Sequence, residues 1–196
     1  MMKKIMAACL AVMLCACGSG NNGKPAHTPV TIVNPVELET MTAAMGEYEF
    51  LEDDDPAFTE ITLAESIRMF KEKGTGILYY GRVGCWWCQR AVPVLNEAAK
   101  EMGVTVYYID VQLPTTEAAY NELDSLINSI FEKDASTGKP VFKVPEVIGV
   151  KDGEIVGHHL SLVSSFEPDG DDTMMTDEQK AELKEIYEDI IAAVAE

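Results

Sequence analysis

Cys85-Trp86-Trp87-Cys88 is the segment of this chain whose residue types and spacing are best suited to chemistry. A zinc site needs four ligands, yet no second Cys-x-x-Cys exists, and His158 and His159 stand some seventy residues on. Covalent haem attachment needs histidine after the second cysteine, where this chain has Gln89. A purely structural disulfide would close a four-residue loop and remove only about 2 kcal/mol of unfolded-state entropy. A bridge built for stability would join distant segments instead. Thiol–disulfide exchange uses every residue of the motif. With a helix opening at Cys85, its unpaired N–H groups and positive dipole end favour the thiolate. Lowering the pKa by about two units takes about 2.7 kcal/mol. The dipole supplies about 1–2 kcal/mol of this, so the N–H groups of Trp87 and Cys88 are needed, with Arg82 and Arg90 as nearby cations. Cys88, one turn on, can attack a mixed disulfide at Cys85. Both tryptophans of the chain sit between the cysteines. Exposing two indoles does nothing for folding, so Trp86 and Trp87 are expected to touch substrate or partner; packing of one indole under a loop is the alternative.

The flanking pattern supplies elements to hold the motif. Residues 57–61 read as a short strand, and Thr62 with Glu65 is a capping-box signature opening a helix through Leu63, Ile67 and Phe70. Residues 76–81 (GILYYG) form a buried-strand candidate ahead of the motif, and a helix follows Cys85 to Met102, closed by Gly103. Residues 104–111 read as a strand and 116–133 as a helix. Asp152-Gly153 marks a hairpin between 146–150 and 154–158, and a helix capped at Thr176 closes the chain. Earlier, 36–45 contains a short helix candidate and 52–55 an acidic, solvated run. His158 and His159, and the acidic loop 167–172, read as surface features. The order β-α-β-α-β-α-β-β-α from residue 57 indicates an α/β fold, a central mixed sheet flanked by helices.

The motifs in register resemble the thioredoxin superfamily. Pro93 falls eight residues after Cys85, where the family carries a proline in its active-site helix, and Val144-Pro145 precedes the hairpin, where it carries a cis-proline. The resemblance spans residue 57 to the end and implies that Val144 and Pro145 bind the incoming peptide. The 80–93 segment is most similar to Gram-positive bacterial thioredoxin-like proteins of the bacteriocin transport accessory type. Two departures stand out. The family's buried acid six residues before the first cysteine is replaced by Tyr79, leaving the group that assists Cys88 unassigned. The 35 residues from Asp110 to Pro145 exceed the minimal fold, so a helical insertion (115–139) is expected before the cis-proline, at the rim of the site or over a sheet edge.

The chain has 196 residues and a formal net charge of −18, which disfavours nucleic-acid binding. No apolar run reaches the roughly 20 residues of a spanning helix. Lys3 and Lys4 followed by an apolar stretch over 5–16 follow signal-peptide grammar, and Leu14-Cys15-Ala16-Cys17 resembles a bacterial lipobox. An ordinary secretory signal cut elsewhere is the alternative. The expected organisation is a signal peptide (1–16), a tether and extension (17–56) lipidated at Cys17, and a thioredoxin-like domain (57–196). Cleavage and acylation leave Cys85 and Cys88 as the unmodified thiols, and loss of the two lysines takes the charge to −20. The expectation is a bacterial extracytoplasmic thiol–disulfide oxidoreductase, lipid-anchored to the cell membrane, with Cys85 as nucleophile and Cys88 as resolving thiol. It requires no metal or cofactor. Its partners are client proteins and a membrane redox protein, with a lean to reduction on family resemblance. A non-catalytic thioredoxin-fold module docking a secretion partner is the alternative.

Overall fold

The computed structural model describes residues 27–196; the expected signal segment (1–16) and the expected lipidation site Cys17 lie outside the described residues. Ten elements follow in order: β1 (Thr40–Thr42), β2 (Phe58–Ile61), α1 (Leu63–Lys71), β3 (Gly76–Gly81), α2 (Trp86–Met102), β4 (Val106–Asp110), α3 (Glu117–Ile127), β5 (Glu146–Lys151), β6 (Glu154–Leu160) and α4 (Asp177–Ala195). The strands form one mixed sheet in the order β1-β2-β4-β3-β5-β6. β4 pairs in parallel with β2 and β3, while β1, β5 and β6 join antiparallel.

Alternation along buried β3 separates two cores. Ile77 and Tyr79 pack with α2 and α4, and Leu78 and Tyr80 with α1 and α3. Gly149 permits close docking of α4, because a Cβ there would lie 2.8 Å from Ile190 and Val194. Thr62 and Thr116 cap α1 and α3, and Thr176 with Gln179 forms a full capping box on α4.

Three local expectations are revised. Residues 36–45 contain no helix: Thr40–Thr42 adds strand β1 to the β2 edge, and a 3-10 turn follows at Met45–Glu47. The backbone groups of this β-branched segment gain partners from β2 that a short isolated helix would lack. The extension therefore packs on the domain, burying Met45 and Tyr48 in the α2/α4 core. The insertion helix ends at Ile127 instead of reaching 133, continuing only as a 3-10 turn at Asn128–Ile130. Beyond it Asp134 gathers the N–H groups of Ser136 and Thr137, and Lys133 bridges to Pro140. β4 begins at Val106 because the Val104 N–H is taken by the Ala99 carbonyl at the end of α2.

Candidate active site

The turn from β3 into α2 places both cysteines at one helix end. Cys85 is the N-cap of α2, and its sulfur accepts a hydrogen bond from the Cys88 N–H at 3.1 Å. Both thiols are free; Cys88 is fully buried and Cys85 retains 7% exposure. The Cys85 thiol also lies 3.7 Å from the Val144 carbonyl, and the Val144–Pro145 bond is cis. Pro93 lies inside α2, leaving the Gln89 carbonyl without its helical donor.

This geometry splits the acidities of the two thiols. Cys85 is lowered to about 6, chiefly by the hydrogen bond from the Cys88 thiol, helped by the N–H groups of Cys88 and Trp87 and the charge of Arg82, against the cost of burial. Cys88 is pushed up by donating to Cys85, by burial and by the neighbouring negative charge. At neutral pH the arrangement favours a thiolate at Cys85 and a protonated thiol at Cys88.

Nothing in the family models matches this chain, and no curated protein does. The site's chemistry is therefore read from its own groups.

Arg82 and Arg90 have different surroundings. Arg82 contributes charge at Cys85. The Arg90 guanidinium is buried 3.5 Å above the Trp86 ring and donates to the carbonyls of Asp171 (2.6 Å), Thr173 (2.7 Å) and Trp86 (3.1 Å). Trp86 donates its indole N–H to the Asp171 carbonyl at 2.8 Å and stacks on Phe166. The acidic 167–172 loop is thus fastened to the active-site helix by its main chain. Trp86 packs under that loop, whereas Trp87 stays 37% exposed beside Cys85. Replacing Arg90 with alanine strands the two loop carbonyls and removes the cation over the indole. The expected cost is about 3 kcal/mol, read as a lower urea midpoint with a red-shifted tryptophan emission.

Behind Cys88 lies a tyrosine cluster assembled from distant segments. Tyr79 stacks on Tyr108 with ring centroids 5.7 Å apart, and the Tyr48 and Tyr108 hydroxyls are 3.2 Å apart. A Cβ at Gly81 would collide with the Tyr79 hydroxyl, so the glycine makes its place. That hydroxyl is fully buried and makes no hydrogen bond of standard geometry. It stands close enough to Cys88 for donation to favour the ionised sulfur, and burial followed by the Cys88 charge pushes the phenol itself up.

Glu146, the residue after Pro145, is 2% exposed, and its carboxyl lies 3.0 Å from His158 Nδ1. Burial, then the charge of Glu132, raises it to about 8, and burial lowers His158. Both shifts favour the uncharged forms at neutral pH, in which the carboxyl can donate to the imidazole. His158 therefore has a buried partner, and His159 packs edge-on against Tyr187. A lone acid inside the apolar 144–150 run was the signal available for Glu146. Tyr48 and Tyr108 had no such signal, since they meet only in three dimensions. Among the described residues, no group of three or more His, Cys, Asp or Glu is arranged to hold a metal ion.

Proposed function

We propose that this chain is an extracytoplasmic, lipid-anchored thiol–disulfide oxidoreductase with a thioredoxin-like fold. The observation carrying the reading is the Cys85 sulfur at the α2 N-cap, lowered to about 6 beside a protonated Cys88. The Cys85 thiolate attacks one sulfur of a client disulfide, forming a Cys85–client bond and releasing a client thiolate. Cys88 then loses its proton and attacks Cys85, closing the Cys85–Cys88 disulfide and freeing the second client thiolate. Two electrons pass to the client, and a membrane redox partner returns them. Reduction is the proposed direction on resemblance; a stabilised thiolate favours the reduced dithiol and works the other way. Titrating indole fluorescence in a redox buffer gives the potential that decides.

Two measurements test the reading. Iodoacetamide should label Cys85 with a midpoint near pH 6, the ionisation range of its thiolate. Wild-type protein should also reduce insulin disulfides well above background. Labelling no faster than that of free cysteine at pH 7, together with background turnover, leaves the non-catalytic docking module instead.

Tyr79 fills the role left open by the missing acid. Its phenol donates to Cys88 once that sulfur ionises, which is worth about 1.5 kcal/mol, or roughly tenfold in rate. Tyr79→Phe should slow release of the Cys85–client disulfide by that factor. Thermal stability should hold or rise, because a buried hydroxyl lacking a standard partner is removed. An unchanged release rate in a folded variant would exclude Tyr79 from the step.

A further inference from the structure

A cavity of about 670 Å³ at the β1 edge contains neither cysteine. The thiol opens instead into a groove of about 450 Å³ whose walls include Arg82, Trp87, Tyr120, Phe142 and Val144. It adjoins a second, smaller pocket of about 180 Å³, where Tyr120 and Phe142 meet Phe131. The insertion supplies this far wall: Tyr120 stands on α3, and Phe131 and Phe142 on the segment leading to Pro145. The wall is fixed before anything binds. Phe142 packs edge-on against Tyr80 at 5.5 Å and tilted against Phe131 at 5.3 Å, and the Tyr120 hydroxyl donates to the Val111 carbonyl at 3.1 Å. An aromatic wall held in advance binds an apolar side chain at little ordering cost.

We propose that this groove selects extended client segments carrying a bulky apolar or aromatic residue close to the disulfide-bonded cysteine, with no lysine or arginine beside it. The inference rests on the exchange reading and names the client class of that site. Three observations favour this occupant. The groove is continuous with the sulfur, so a client cysteine bonded to Cys85 carries its neighbours along the wall. To a polar client residue its mostly apolar surface offers only Arg82, Lys143 and the Trp87 indole N–H, the Tyr120 hydroxyl and the Trp86 indole being already engaged. Once Cys85 is bonded to the client its thiolate charge is gone and Arg82 is the charge left at that end, whereas Lys143 is paired with Glu132 at 2.7 Å, so a client cation beside the bonded cysteine is repelled there.

The test uses cysteine peptides as mixed disulfides with glutathione, differing only in phenylalanine, serine or lysine two positions from the cysteine. Wild type should reduce the phenylalanine peptide with kcat/KM about tenfold above serine, and lysine should rank below serine. In Phe142→Ala, and independently in the surface variant Tyr120→Ala, the phenylalanine-to-serine ratio should fall to about two to three. Equal rates for all three peptides in wild type, or a ratio surviving both substitutions, overturn the groove while the exchange reading stands. Binding of S-methylated peptides to Cys85→Ser by fluorescence polarisation separates the converse. Phenylalanine-selective binding without any exchange keeps the groove and removes the reading, and no selectivity in either assay removes both.

Discussion

Cys85→Ser should bring insulin reduction down to the uncatalysed background, a loss of at least about a thousandfold. A hydroxyl cannot form the disulfide-linked intermediate, so no partial pathway remains. With the thiol lowered to about 6, about nine-tenths of Cys85 is ionised at pH 7, against a few per cent for a free cysteine. Cys88 variants should divide the reaction differently. Cys88→Ser keeps the attacking sulfur and a donor beside it, so the client should accumulate as a mixed disulfide visible on a non-reducing gel while turnover stops. Cys88→Ala also removes the hydrogen bond that contributes most to the low pKa. Its labelling midpoint should rise by at least about one pH unit. A midpoint that stays near 6 in the alanine variant would assign the lowering to the helix end and Arg82 alone.

The parts of this site readable from sequence are those fixed by local rules. The helical stripe that follows Cys85 is a local pattern, and the threonine caps of α1, α3 and α4 follow short-range chemistry as well. Asp152-Gly153 fixes the hairpin for the same reason. Long-range partners had no local signature. Arg90 reads as a cation near the Cys85 thiolate until the 161–176 segment crosses α2 and supplies carbonyls to it. Tyr48 comes from an extension whose pattern suggested a helix; the open β2 edge made part of that extension a strand and carried Tyr48 into the core. The insertion was visible as excess length between Asp110 and Pro145. Its function as a wall depends on where Phe131 and Phe142 fold back, which no periodicity encodes.

The buried acid behind Pro145 carries the largest expected effect on stability. Glu146 sits at about 8 in the fold against an ordinary 4.5, raised first by burial and then by the charge of Glu132. A carboxyl raised on folding binds more protons in the native state than in the unfolded one. Its contribution is therefore fully present below pH 4.5 and is lost as pH climbs toward 8. The shift corresponds to a loss on the order of 5 kcal/mol across that window. Glu146→Gln removes the ionisation while an amide N–H can still donate to His158. Urea midpoints measured at pH 5, 7 and 9 should fall steeply for wild type and much less for the variant, so the two curves diverge with rising pH. The −18 net charge also weakens the fold as pH rises, but it acts nearly equally on both proteins and cancels in the comparison. Parallel curves would mean that Glu146 ionises freely in the fold. The divergence also has a consequence for the proposed exchange. Cys85 gains its thiolate above about 6, while Glu146, one residue beyond the cis-proline, keeps its neutral contact with His158 below about 8. Between those limits the attacking sulfur is ionised and the segment it faces is held by a neutral, hydrogen-bonded acid.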